Sequence, residues 1–206
     1  MANNMNILMI GETYVKERST VMENVEAKFI KTNILLAQDI HVQQILGSSL
    51  YNDIISESED WKTAYDAGIT GVTKADYISA KYITLLDDYI EPSLLYYTLY
   101  ESMFSLYSKI TNKGVVTQSS DASNVVSEEY MHKMKDDFLN KAEYYAQRLT
   151  NYLIDNTTIY TEYLDTDGDV SDIAPEMDPY LNNGWYLKPT NRTDCYPWNT
   201  SRMRDL

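Results

Sequence analysis

FIKTNILLAQDIHVQQILGSSLY, residues 29–51, decides the architecture. Phe29, Ile30, Ile34, Ala37, Gln38, Ile40, Ile45 and Leu46 mark out three- and four-residue steps, as one buried stripe on a helix requires. Gly47 can end that helix, because glycine enters the left-handed region without a Cβ clash. Ser48 or Ser49 can then cap a second helix running through Leu50, Ile54 and Ile55. The motif is helix, glycine stop, helix, and it carries no catalytic group.

Working outward, Ile7-Leu8-Met9-Ile10 reads as a short strand before Gly11, and residues 12–25 have no clear pattern. The first helix pair covers roughly 26–57. Trp61, Gly68 and Gly71 make 58–72 a loop with at most a helical turn. Thr73 precedes Lys74-Ala75-Asp76, a helix start that continues through Ile78, Tyr82, Leu85, Leu86 and Tyr89. Pro92 then predicts a kink or a break of one or two residues. The next segment, Leu94 to Ile110, is apolar nearly all round. Such a helix is central in a core or covered by a second subunit. Thr111-Asn112-Lys113-Gly114 is a turn signal, Val115-Val116-Thr117 a short strand, and Gln118 to Asn124 a polar loop.

Ser127 caps the last long helix, with Glu128 and Glu129 in its first turn. Its stripe is Met131, Met134, Phe138, Ala142, Tyr145, Leu149 and Tyr152, a helix of about 40 Å. From 156 onward the chain changes character. Pro175, Pro179, Pro189 and Pro197 exclude continuous helix, yet Tyr160, Tyr163, Tyr180, Trp185, Tyr186, Tyr196 and Trp198 are the kind of side chain that anchors interfaces. Residues 156–178 are rich in Asp and Glu without Lys or Arg, and 188–204 are basic. Two readings stand: complementarity to a neighbouring subunit, or two solvated patches. The predicted fold is mainly α: an N-terminal segment (1–25), a helical core (26–155) with a short β element, and an extended C-terminal arm (156–206).

The 206 residues carry a net charge of −14. Phosphate backbones repel such a chain, which argues against ordinary nucleic-acid recognition but suits a wall past which DNA slides. There are 19 Tyr against 3 Phe, which favours partly buried surfaces. The single Cys195 cannot form an intrachain disulfide and reads as an incidental thiol beside Tyr196 and Trp198. No run of 18 apolar residues exists, and no basic region precedes Ile7, so neither a membrane span nor a signal peptide is expected. The glycosylation-like triplets at Asn156, Asn191 and Asn199 then read as chance matches.

Chemical constellations are incomplete. Asp165, Asp167, Asp169, Ser171 and Glu176 follow calcium-loop spacing, but Val170 stands where glycine makes the turn, and Pro175 and Pro179 forbid an exiting helix. Glu129 and His132 have the Glu-x-x-His spacing of a di-metal helix, but the other histidine, His41, is preceded by Gln38. Phosphate-loop, nucleophile-elbow and dinucleotide motifs are missing. Asp87-Asp88 and Asp136-Asp137 point about 100° apart on helices and read as solvated faces. No catalytic residue, cofactor or metal ligand is expected.

One resemblance rests on Phe29-Ile30, Ala37-Gln38, Ile45-Leu46-Gly47 with Leu50-Tyr51, Leu85-Leu86, Tyr89-Ile90, Pro92, Asn112-Lys113-Gly114-Val115-Val116, and Ala142-Glu143 with Arg148-Leu149. Over about residues 26–155 the chain resembles the head-to-tail connector (adaptor) proteins of tailed bacteriophages, in the version found in phages of Bacteroidetes, including the crAss-like group. The resemblance implies a structural virion protein, assembled in the bacterial host cytoplasm. It implies a twelvefold ring in the neck, between portal protein and tail, that extends the DNA channel and docks other neck or tail rings. Interface residues would then be Tyr97, Tyr100, Phe104 and Tyr107 in the over-apolar helix, and Tyr180, Trp185, Tyr186, Tyr196 and Trp198 in the arm. The competing reading is a non-virion acidic helical module that binds another protein.

Overall fold

The computed structural model describes residues 7–69, 71, 73–111, 114–117, 127–163 and 173–175. The fold is mainly helical. Helix α1 spans Glu12–Arg18 and α2 spans Ala27–Ala37. A π-helical turn, Gln38–Val42, joins α2 to α3, Gln43–Asp66, which is broken at Gly47. The 3-10 turn Lys74–Asp76 precedes α4, Ala80–Leu85. A second π-helical turn, Leu86–Ile90, leads into α5, Glu91–Tyr107. Ser108–Thr111 (β1) and Gly114–Thr117 (β2) pair antiparallel, with Ser108 opposite Thr117. Helix α6 spans Glu128–Asp155, and the 3-10 turn Thr161–Tyr163 follows it.

Helix α5 lies at the centre, packed against α6 on one side and α2 on the other. Leu94, Leu85, Ile90, Leu149, Leu153, Ile34, Leu46, Leu50 and Ile54 are fully buried in one cluster. Each such side chain contributes about 1.5–3 kcal/mol through its removal from water. The cluster reaches past both ends of the 26–155 stretch, since Ile7, Ile10, Val15, Tyr160 and Tyr163 belong to it. Helix α6 starts as its cap predicts: the Ser127 hydroxyl oxygen accepts from the Tyr130 N–H at 3.3 Å. Among the described residues no helix is long and apolar enough to cross a membrane.

Several expectations need correction. Residues 7–10 form no strand, and the chain bends at Met9 and Ile10. Their partner is a side-chain amide: Gln38 Nε2 donates to the Ile7 carbonyl at 3.0 Å, and Gln38 Oε1 accepts from the Met9 N–H at 2.9 Å. Residues 58–66 are helix, not loop, because Ser58 and Ala64 are buried and Lys62 pairs with Asp66 at 2.7 Å one turn on. The chain turns away only at Gly68, where φ is +69°. Thr73 and Asp76 do form a capping box, but the 3-10 turn they start ends at Asp76, and helix resumes at Ala80. Pro92 causes no break. The Glu91 N–H bonds back five residues to Leu86, so the π-helical turn takes up an extra residue just before the ring, and the helix runs on through Pro92.

Candidate interaction surface

The antiparallel pair α5 and α6 presents a row of tyrosine rings along its seam. Tyr89 stacks on Tyr152 with ring centroids 3.9 Å apart, and Tyr96 stacks on Tyr145 at 5.5 Å. Cations from α6 cover successive rings of α5. The Arg148 guanidinium lies 4.9 Å from the Tyr89 centroid, Lys141 Nζ 5.9 Å from Tyr96, and Lys135 Nζ 4.4 Å from Tyr100. Each contact is favoured by the negative face of the ring. The stacked pairs follow helix periodicity: a step of seven residues, two turns, separates 89 from 96 on one side and 145 from 152 on the other.

At the α2 side of α5 stands a second cluster. His41, in the first π-helical turn, lies flat on Tyr97 at 4.1 Å and 6°, with the Tyr100 ring edge-on at 6.1 Å. His41 Nε2 is 2.8 Å from Glu101 Oε1. Next along the pair, the Asn33 amide donates to the Ser105 hydroxyl at 3.0 Å and to the Phe29 carbonyl at 2.9 Å. These contacts fix the register of α2 on α5.

The opposite end of the α6 seam holds a partly buried polar network. Lys81 Nζ bonds Glu162 Oε1 at 2.6 Å, and the Tyr160 hydroxyl donates to the Lys81 carbonyl at 2.9 Å. Burial, the largest single influence, raises the Glu162 carboxyl, but the hydrogen bonds from Lys81, the backbone and Tyr82 and the charge of Lys81 together outweigh it and leave the group below its ordinary range. Burial first, then the charge of Glu162, holds Asp53 above its usual range. Tyr82 and Tyr163 are pushed up to about 12, chiefly by burial. These groups lock the turn after α6 onto α3 and α4.

Of the residues singled out in sequence, Tyr97 is spent inside the subunit, under His41. Tyr100 and Tyr107 are half-buried, and Phe104 is 61% exposed. Tyr180, Trp185, Tyr186, Tyr196 and Trp198 lie outside the described residues, as do Cys195 and the Asp165 to Glu176 loop positions. Phe104 and Leu106 are exposed in the last turn of α5, just before the β hairpin, and Tyr130 is exposed in the first turn of α6. Leu36 and Ile40 are exposed one turn apart on the α2 side. The Glu-x-x-His pair is not assembled: Glu129 bonds Lys133 at 2.7 Å, and His132 stands 3.7 Å from Glu128, all exposed. Among the described residues no group of three or more His, Cys, Asp or Glu could hold a metal ion. A void of about 10 Å³ between α1, α2 and α5, bordered by Val15, Val25, Phe29 and Ile30, holds at most about one water.

Sequence reasoning missed the His41–Glu101 pair, whose members are 60 residues apart and carry no local signal. It also missed the role of Gln38, which reads as one polar interruption in an apolar stripe. No curated protein and no solved structure matches the chain. A family model does match, over residues 42–172, from the first π-helical turn to just short of the Ile173–Pro175 segment. The chain therefore belongs to the family of unknown function DUF6712.

Proposed function

We propose that this chain is a structural virion protein that forms a ring in the neck of a tailed phage, between portal and tail. One observation carries the reading: Phe104 stands 61% exposed in the last turn of α5, one turn beyond Tyr100, whose ring packs under Lys135. An aromatic side chain exposed in this way suits a contact between copies. In a ring each subunit offers two different faces, one to each neighbour. The acidic balance of the chain, −14 overall, suits a channel through which DNA moves without sticking. The residues that carry the connector resemblance include Tyr89-Ile90 and Pro92 at the start of α5 and Ala142-Glu143 in the middle of α6. An extended C-terminal arm, beyond the helical bundle and its hairpin, would reach a neighbour or an adjacent ring.

Phe104→Asp tests the reading. The variant places a charge on an exposed side chain, so its circular dichroism and melting should match wild type. Co-expressed with the portal protein of the same phage, the wild type should assemble into rings by mass photometry and the variant should not. Equal ring formation by both would remove this surface from the assembly. A wild type that stays monomeric beside the portal would favour the acidic binding module.

A further inference from the structure

The break in α3 is filled by a distant piece of the chain. At Gly47 the backbone leaves the helix with φ +73° and ψ 158°, then α3 resumes at Ser48. A restarting helix exposes its first N–H groups, which need acceptors. Here the Ser48 N–H donates to the Ile173 carbonyl at 2.9 Å, and the Ile173 N–H donates to the Ser48 hydroxyl oxygen at 3.3 Å. The same hydroxyl oxygen accepts from Gln43 Nε2 at 3.2 Å, across the break. Ser48 is buried to 1% exposure in this arrangement. Gly47 is required twice: for its positive φ, and because a Cβ there would come within 2.7 Å of Pro175 Cδ and 3.1 Å of Pro175 N. Main-chain bonds on one side, and a proline against a glycine floor on the other, make a matched pair.

We propose that the Gly47–Ser48 break is an acceptor site for an Ile-Ala-Pro peptide segment, filled in this chain by its own residues 173–175. Recognition uses both main-chain groups of the isoleucine, as strand addition does, and the proline ring fits only over a residue without a side chain. Residues 164–172 tether the segment to Tyr163, which is fixed in the core, so the local concentration of the segment is high and the chain fills its own site. The site does not depend on the neck-ring reading.

Hydrogen exchange of the Ser48 amide, followed by NMR in the full chain, tests the site. The double variant Ile173→Pro, Pro175→Gly removes the donor and the ring while leaving every helix untouched. Ser48 exchange should accelerate about tenfold or more, with Ile54 and Ile55 unchanged as the internal control of folding. Adding a synthetic peptide of residues 171–177 at millimolar concentration to the variant should restore slow exchange, and the same peptide carrying Pro175→Gly should not. Unchanged Ser48 exchange in the variant, or failure of the peptide to restore it, overturns the proposal. Slow wild-type exchange that appears only at concentrations where dimers form overturns it too, because the occupant is then a second copy.

Discussion

Gln38 shows how one side chain can replace a strand. It is completely buried, yet its amide oxygen and nitrogen both have main-chain partners on the N-terminal segment. Gln38→Leu keeps the volume and strands the Met9 N–H and the Ile7 carbonyl. That should cost about 2–3 kcal/mol, read from urea unfolding, with faster exchange at Met9. A variant as stable as wild type would show that the segment 7–10 is held by Ile7 and Ile10 packing alone. Glu91 gives a prediction of opposite sign. Burial first, then the charge of Asp87, holds its carboxyl above the ordinary value of 4.5. Folding therefore disfavours the ionised form. The penalty is complete above the raised value and fades as the pH falls toward 4.5. Glu91→Gln removes it and keeps an acceptor for the Tyr14 hydroxyl. Glu91 is only half-buried, so screening keeps the gain below about 1 kcal/mol, or about 1–2 °C in Tm at pH 7. The two melting curves should converge near pH 4.5. A pH-independent gap would assign the effect to packing.

At the scale of elements, legibility followed locality. Helix α6 could be read from its stripe and its Ser127 cap, because every signal lies within one turn of the residue it governs. The glycine stop at 47 was legible for the same reason, but what fills it was not: Ile173 is 125 residues away. The π-helical turns left no pattern, since one extra residue per turn merely stretches a three-four spacing that already varies. Gly68 and Gly71 marked a real turn, yet they drew the loop nine residues too early, while Trp61 and Ala64 kept the helix packed to Asp66. The arm boundary at 156 followed composition, but Tyr160 and Tyr163 are core residues. Two truncations expose the difference. Ending the chain at 155 removes those rings and the Glu162 partner of Lys81, and should lower Tm by about 10 °C or more. Ending it at 175 keeps them and should leave Tm within about 2 °C of the full chain. Equal melting of the two truncations would show that the turn after α6 adds nothing to the core.

For the whole molecule, the candidate surface was half legible. The over-apolar stretch 94–110 pointed to α5, and α5 is indeed central, but most of its apolar surface is consumed by α2 and α6. What α5 leaves over is small and sits in its last turn, at Phe104 and the edge of Leu106. Tyrosine abundance likewise has an internal use, in the stacked seam of α5 and α6, so composition alone overstated the surface available to partners. The proposed role then rests on whether this end meets another copy. The most direct measurement is a cryo-electron microscopy reconstruction of purified phage particles that encode the chain, focused on the neck. The account predicts a closed ring of this chain against the portal, with Phe104 and Tyr130 covered at a subunit boundary. Particles whose neck lacks the chain, confirmed by its absence from their peptide mass spectrum, would contradict it.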